Sequence, residues 1–127
     1  MKSFADNNIK KNVSDLIRIS MAISFGALQG KYKLPKFLSY NTEEYMDTND
    51  LFDMIDDGRI CEAENILLDA LNETNKENII LGFEFYNALN EKSDSFLEEH
   101  NFSREEILEG VNYLVDKTGI DRNLLFI

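Results

Sequence analysis

The chain has 127 residues, 43% of them apolar, one cysteine, one proline and a formal net charge of −11. One domain of this length buries about two-thirds of its unfolded surface, so no disulfide or metal staple is needed, and the apolar share excludes general disorder. The acidic balance argues against nucleic acid as a main partner, because phosphate is repelled.

The charge is unevenly divided along the chain. Residues 1–40 hold seven Lys/Arg against Asp6 and Asp15, whereas residues 41–127 hold six against 22 Asp/Glu. The basic start can pair with the acidic remainder, within one chain or across a dimer; if it does, salt lowers the melting temperature or loosens the oligomer. Helix-favouring residues dominate and strand-like alternation is hard to find, so the sequence predicts an all-α fold.

The first helix is expected over about Phe4–Leu28. Ile9, Val13, Leu16, Ser20, Ile23 and Ala27 form one stripe, widened by Ile17, Met21 and Leu28, while Ile19 and Phe25 fall near the opposite side. Apolar side chains nearly all round the second half require cover on both sides, one of which a partner subunit can supply. The apolar run at residues 16–28 is interrupted by Arg18 and is shorter than the roughly 20 residues of a membrane span. It reads as a buried helix of a soluble, untargeted chain, with no membrane partner.

Gly30 through Tyr40 reads as a connector whose Phe37, Leu38 and Tyr40 pack down. Thr42 is expected to cap a short helix holding Tyr45 and Met46, and Asp47, Thr48 or Asn49 to cap the next, with Leu51, Phe52, Met54 and Ile55 buried. Gly58 ends that helix in a left-handed conformation. The helix from near Arg59 to about Asn72 places Ile60, Ala63, Leu67, Ala70 and Leu71 on one face. Asn75 caps a helix to about Asn90, with Ile79, Phe83, Tyr86 and Leu89 or Asn90 as its stripe, and Ser93 or Asp94 starts a short turn around Phe96 and Leu97.

Ser103-Arg104-Glu105-Glu106 has the spacing of a capping box and opens a helix through Lys117 that Gly119 ends. Ile107, Leu108, Val111, Leu114 and Val115 face inward, and the apolar Leu124-Leu125-Phe126-Ile127 docks on the domain. The organisation is thus one helical domain over 1–127: an N-terminal amphipathic helix and connector (1–40), a helical-hairpin core (41–120) and a docked tail (121–127).

The order Ile60, Ala63, Leu67, Ala70 after Gly58 resembles the second helix of a tetratricopeptide repeat, in which small residues admit a neighbouring helix. Asp47 and Asp50 stand where that repeat has bulky apolar residues, and nothing recurs at a period of 34, so the likeness is to half a repeat. From about Leu51 to Ile120 the chain is similar to an uncharacterised family of short helical proteins from Firmicutes. The residues that carry this are Gly58-Arg59-Ile60-Cys61-Glu62-Ala63-Glu64-Asn65, Phe85-Tyr86-Asn87-Ala88-Leu89-Asn90, and Phe102-Ser103-Arg104-Glu105-Glu106-Ile107 with Gly110. The resemblance implies tetratricopeptide-like helical hairpins in a bacterial cytoplasm, and it implies no activity.

Residues Asp53 to Glu64 match a calcium-binding EF-hand loop in part. Asp53, Asp57, Gly58, Ile60 and Glu64 fall at positions one, five, six, eight and twelve, but position three is Ile55, which has no oxygen to offer. The helical-hairpin reading makes Asp53 helical and turns Ile55 inward, so no metal is assigned. His100 reads as a loop histidine near a helix end. Cys61, the lone cysteine and thus without an internal bridge, lies among acidic neighbours that raise a thiol's pKa and reduce its reactivity. Its presence as a single thiol fits a reducing compartment.

The paired carboxylates Glu43/Glu44, Asp56/Asp57, Glu98/Glu99 and Glu105/Glu106 read as solvated faces rather than acid–base machinery. No catalytic residue, cofactor or metal ligand is therefore assigned, and the chain is read as not an enzyme. The expected function is a protein-interaction or adaptor protein that self-associates, as a homodimer, through Ile19, Ile23 and Phe25 of the first helix. Tyr86 and Asn87 are candidates for hydrogen bonds to a bound peptide. The alternatives are a small-molecule-binding helical domain and an acidic regulator of a basic partner.

Overall fold

The computed structural model describes residues 4–26, 34–40, 44–72 and 75–126. Among them it is mostly helical, with α1 (Phe4–Phe25), α2 (Thr48–Asp56), α3 (Ile60–Ala70), α4 (Lys76–Glu91), α5 (Asp94–Glu99) and α6 (Arg104–Thr118). A short 3₁₀ turn, Arg122–Phe126, follows. Two strands, β1 (Phe37–Tyr40) and β2 (Glu44–Asp47), form an antiparallel hairpin between α1 and α2. The expectations for Gly30, Thr42, Ala27, Leu28 and Ile127 lie outside the described residues.

Helices α1, α4 and α6 pack on one another as a three-helix core, and α2, α3 and the hairpin form a second group linked to it through α2 and α4. The central rod is α4, which buries Ile79, Ile80, Leu81, Phe83, Phe85, Tyr86 and Leu89 and so is covered on nearly every side. Each such side chain removed from water contributes roughly 1.5–3 kcal/mol of transfer free energy. The approach of α4 to α6 is set by two glycines, one on each helix. A β-carbon at Gly82 would lie 2.8 Å from the Leu114 side chain, and one at Gly110 would overlap the Tyr86 ring.

The helix ends follow local chemistry. Asp47, Asn75, Ser93 and Ser103 each cap a helix, their side chains accepting from Asn49, Asn78, Phe96 and Glu106 amides. Ser103 and Glu106 complete the reciprocal capping box. At the end of α2, Gly58 adopts φ +83°, its N–H donates to Ile55 O, and the Arg59 N–H donates back to Met54 O. This paired closure satisfies two carbonyls that the helix leaves open and reverses the chain into α3. Ala63 and Ala70 of α3 are both buried, with Ile60 and Leu67.

Two expectations are corrected. Tyr45 and Met46 belong to a strand, not to a helix, and Phe37–Tyr40 form its partner strand, in which Leu38 packs down as expected while Phe37 stands 58% exposed. Pro35 disfavours helical backbone before it, Phe and Tyr suit a pleated surface, and Asp47 must be extended to cap α2. The inward stripe of α1 is Val13, Ile17, Ser20 and Met21, all within the expected stripe and its widening, but Ile23 at its edge stands 43% exposed. The second half of α1 is apolar on most sides, so periodicity alone does not fix which side turns inward. Leu125 of the 3₁₀ turn is buried, and that turn lies against α1.

Candidate functional site

The β-hairpin carries the largest exposed aromatic surface among the described residues. Its register pairs Phe37 with Asp47, Leu38 with Met46, and Ser39 with Tyr45. Side chains alternate between faces, so Leu38 and Met46 share the inner face while Phe37, Ser39 and Tyr45 share the outer one. Leu38 is fully buried, whereas Phe37 is 58% and Tyr45 73% exposed. The Lys36 ammonium lies 5.5 Å from the Phe37 ring centroid, a cation–π distance. The Thr48 N–H donates to Lys36 O at 3.0 Å, and its hydroxyl donates to Pro35 O. Those two bonds fasten the hairpin to the first turn of α2.

The residues singled out from sequence are scattered. Ile23 and Phe25 line one hollow of about 600 Å³ where α1 ends, α4 begins and α6 ends, together with Lys76, Lys117 and Ile120. Ile19 is half-buried against the core. Asn87 lines a different hollow of about 340 Å³ with Lys10, Lys11, Asp15 and Glu91. Tyr86 is fully buried and cannot meet a peptide; Phe83 and Phe85 are buried with it, so these helix-spaced aromatics are core and not a groove.

Tyr86 is instead half of a buried polar pair. Its hydroxyl donates to Glu64 Oε2 at 2.7 Å across α4 and α3. Burial holds the Glu64 carboxyl above the ordinary carboxylate range; the Tyr86 hydrogen bond opposes this, and the charges of Glu106 and Glu109 reinforce it. Burial, followed by the Glu64 charge, pushes the Tyr86 phenol upward as well. A carboxylate with shifted protonation is a functional-site signal only where it faces a cleft, and this one is engaged by a core phenol.

His100 is likewise occupied. Its Nδ1 lies 2.7 Å from Phe96 O, so that nitrogen carries the proton and donates, while the ring stacks at a tilt on Phe96 and abuts Gly58. Cys61 is exposed on α3. Sequence reasoning missed Arg104, whose buried guanidinium donates to Asp94 Oδ1 at 2.8 Å, Asn90 O at 2.9 Å and Lys92 O at 2.8 Å. It ties the start of α6 to the segment joining α4 and α5. Inside a capping box an arginine looks solvated, and no local signal marks it as buried.

The segment that resembles a calcium loop is helical where a metal would need a loop. Asp53 lies within α2 and Ile55 is buried in the core. Beside it runs a groove of about 390 Å³ between β2, α2 and α3, floored by Met46, Met54 and Ile66. Among the described residues no three His, Cys, Asp or Glu side chains are grouped to hold a metal ion. No helix among them is long and apolar enough to cross a membrane.

A model described as a family of unknown function (DUF6483) matches residues 3–119. The chain belongs to that family. No curated protein and no solved structure matches it. The DUF6483 match runs from the start of α1 to Gly119, so it takes in the hairpin, the groove and the Tyr86–Glu64 pair. Residues 1–2 and 120–127, the latter holding the 3₁₀ turn, lie beyond it.

Proposed function

We propose that this DUF6483 protein is a non-enzymatic, cytoplasmic interaction protein that self-associates through the outer face of its β-hairpin. The observation that carries this reading is the pair Phe37 and Tyr45, which stand at diagonal positions on the outer face of the hairpin with most of their surface in water. Large aromatic rings on a rigid element supply contact area at little entropic cost and are enriched where proteins meet. An isologous contact needs one self-complementary patch, and two aromatic rings flanked by Lys36 and Asp47 offer both stacking and charge pairing. The sequence points to α1 for this role, but Ile19 and Phe25 are half-buried against the core, which favours the hairpin. The α2–α3 pair is read as tetratricopeptide-like, with buried Ala63 and Ala70 as the small residues that admit a neighbour.

Sedimentation velocity over a range of concentrations tests the reading. The wild type should shift from monomer to dimer, and a Phe37→Ser/Tyr45→Ser variant should stay monomeric. Both positions are exposed, so their loss should change folding stability by only about 0.5 kcal/mol each. A variant that dimerises as the wild type does assigns the contact elsewhere.

A further inference from the structure

The groove between β2, α2 and α3 has an apolar floor and a rim of net negative charge. Met46 and Ile66 are partly buried at its base, beside buried Met54. Exposed Asp50, Asp53, Asp57 and Glu62 surround it. Among the described residues that line it one is a cation, Arg59, which donates to Glu62 through two hydrogen bonds of 3.0 and 2.7 Å and whose charge also reaches Asp57. Asp50, Asp53 and Asp57 form no ion pair among the described residues. The carboxyl end of α2 lies beside Asp57 and adds partial negative charge.

We propose that this groove docks a lysine- or arginine-bearing segment of a partner protein. The charge at the rim selects a cation, and the floor selects what kind. A hard metal ion needs several oxygen ligands converging on one point, which helical Asp53 and inward Ile55 deny it. An ammonium or guanidinium on an aliphatic stem needs only acceptors around its head and apolar surface along its stem. Methionine thioethers adapt to side chains of varied shape, as at other surfaces that accept several peptides. The inference rests on the reading of the chain as an interaction protein but uses a different face from the hairpin's outer aromatics. A strictly monomeric protein would therefore remove the self-association and leave the groove proposal standing.

Selection from a library of randomised displayed peptides, followed by NMR titration of the labelled full chain with the enriched peptide, tests it. Enriched peptides should combine Lys or Arg with an aliphatic residue, and should shift the amides of Asp53, Asp57, Glu62 and Ile66. Their affinity should fall roughly tenfold in an Asp53→Asn/Asp57→Asn variant, and similarly between dilute buffer and about 0.5 M salt. A Glu105→Gln control, exposed and outside the groove, should bind as the wild type. Failure to enrich any peptide, enrichment without basic bias, shifts centred elsewhere, or equal loss in the control would each overturn the proposal. So would saturable shifts on adding calcium alone.

Discussion

The phenol of Tyr86 donates to Glu64 at 2.7 Å while its ring fills the space that a β-carbon would need at Gly110. One side chain thereby joins α3, α4 and α6. The junction makes Gly110 a packing residue, although a glycine inside a helix normally costs about 1 kcal/mol relative to alanine. Gly110→Ala should therefore destabilise, by about 1–3 kcal/mol, because the added methyl meets the fully buried Tyr86 ring. Urea denaturation measures this. Unchanged or increased stability would show that the helices can separate freely there.

The raised Glu64 carboxyl gives a pH signature. The folded chain keeps its proton at pH values where the unfolded chain has lost it. Stability from this group is thus fully present below the ordinary carboxylate range and is lost as pH rises through the elevated folded value. Glu64→Gln does not titrate and still accepts from Tyr86. Relative to wild type, the variant should gain stability as pH increases across that window. Paired urea midpoints at several pH values check it; a flat difference, or one of opposite slope, would contradict the burial of Glu64.

Arg104 should be the most sensitive charged residue in the chain. Replacing it with methionine keeps bulk but leaves Asp94 and the carbonyls of Asn90 and Lys92 without a guanidinium. The expected loss is about 3–5 kcal/mol, read from the thermal or urea midpoint. Arg104→Lys should recover little, since one ammonium cannot reach all three directions. Near-wild-type stability for either variant would make the cluster incidental.

The capping box offers a milder change. Ser103→Ala removes the acceptor of the Glu106 N–H and should cost about 1 kcal/mol, visible as a lower urea midpoint with unchanged slope. A larger loss would mean that Ser103 has a role beyond the cap.

The features legible in the sequence are those that local chemistry decides. The caps at Asn75, Ser93 and Ser103 and the reversal at Gly58 need only neighbours within four residues, and each lies at an expected position. The hairpin was not legible because Tyr45 and Met46 suit a helix as well as a strand until Phe37–Tyr40 pairs with them. The exposure of Ile23 was hidden by apolar residues on most sides of α1. Arg104 lay inside a correctly read motif, yet its buried partners are 10 to 14 positions away. At the site, the Tyr86 phenol suggests a hydrogen-bonding surface residue, whereas its helical spacing with Phe83 marks it as core. Exposed Phe37 and Tyr45 stood out only once the strand pairing gave them a common face.

Phe37 and Tyr45 are proposed as the contact surface between two copies of the chain. Sedimentation velocity of the wild type and the Phe37→Ser/Tyr45→Ser variant, across the same concentrations and with helical content matched by circular dichroism, is the decisive measurement. A concentration-dependent dimer is expected for the wild type and a monomer for the variant. A wild type that stays monomeric at the highest concentration, or a variant that dimerises equally well, would contradict it.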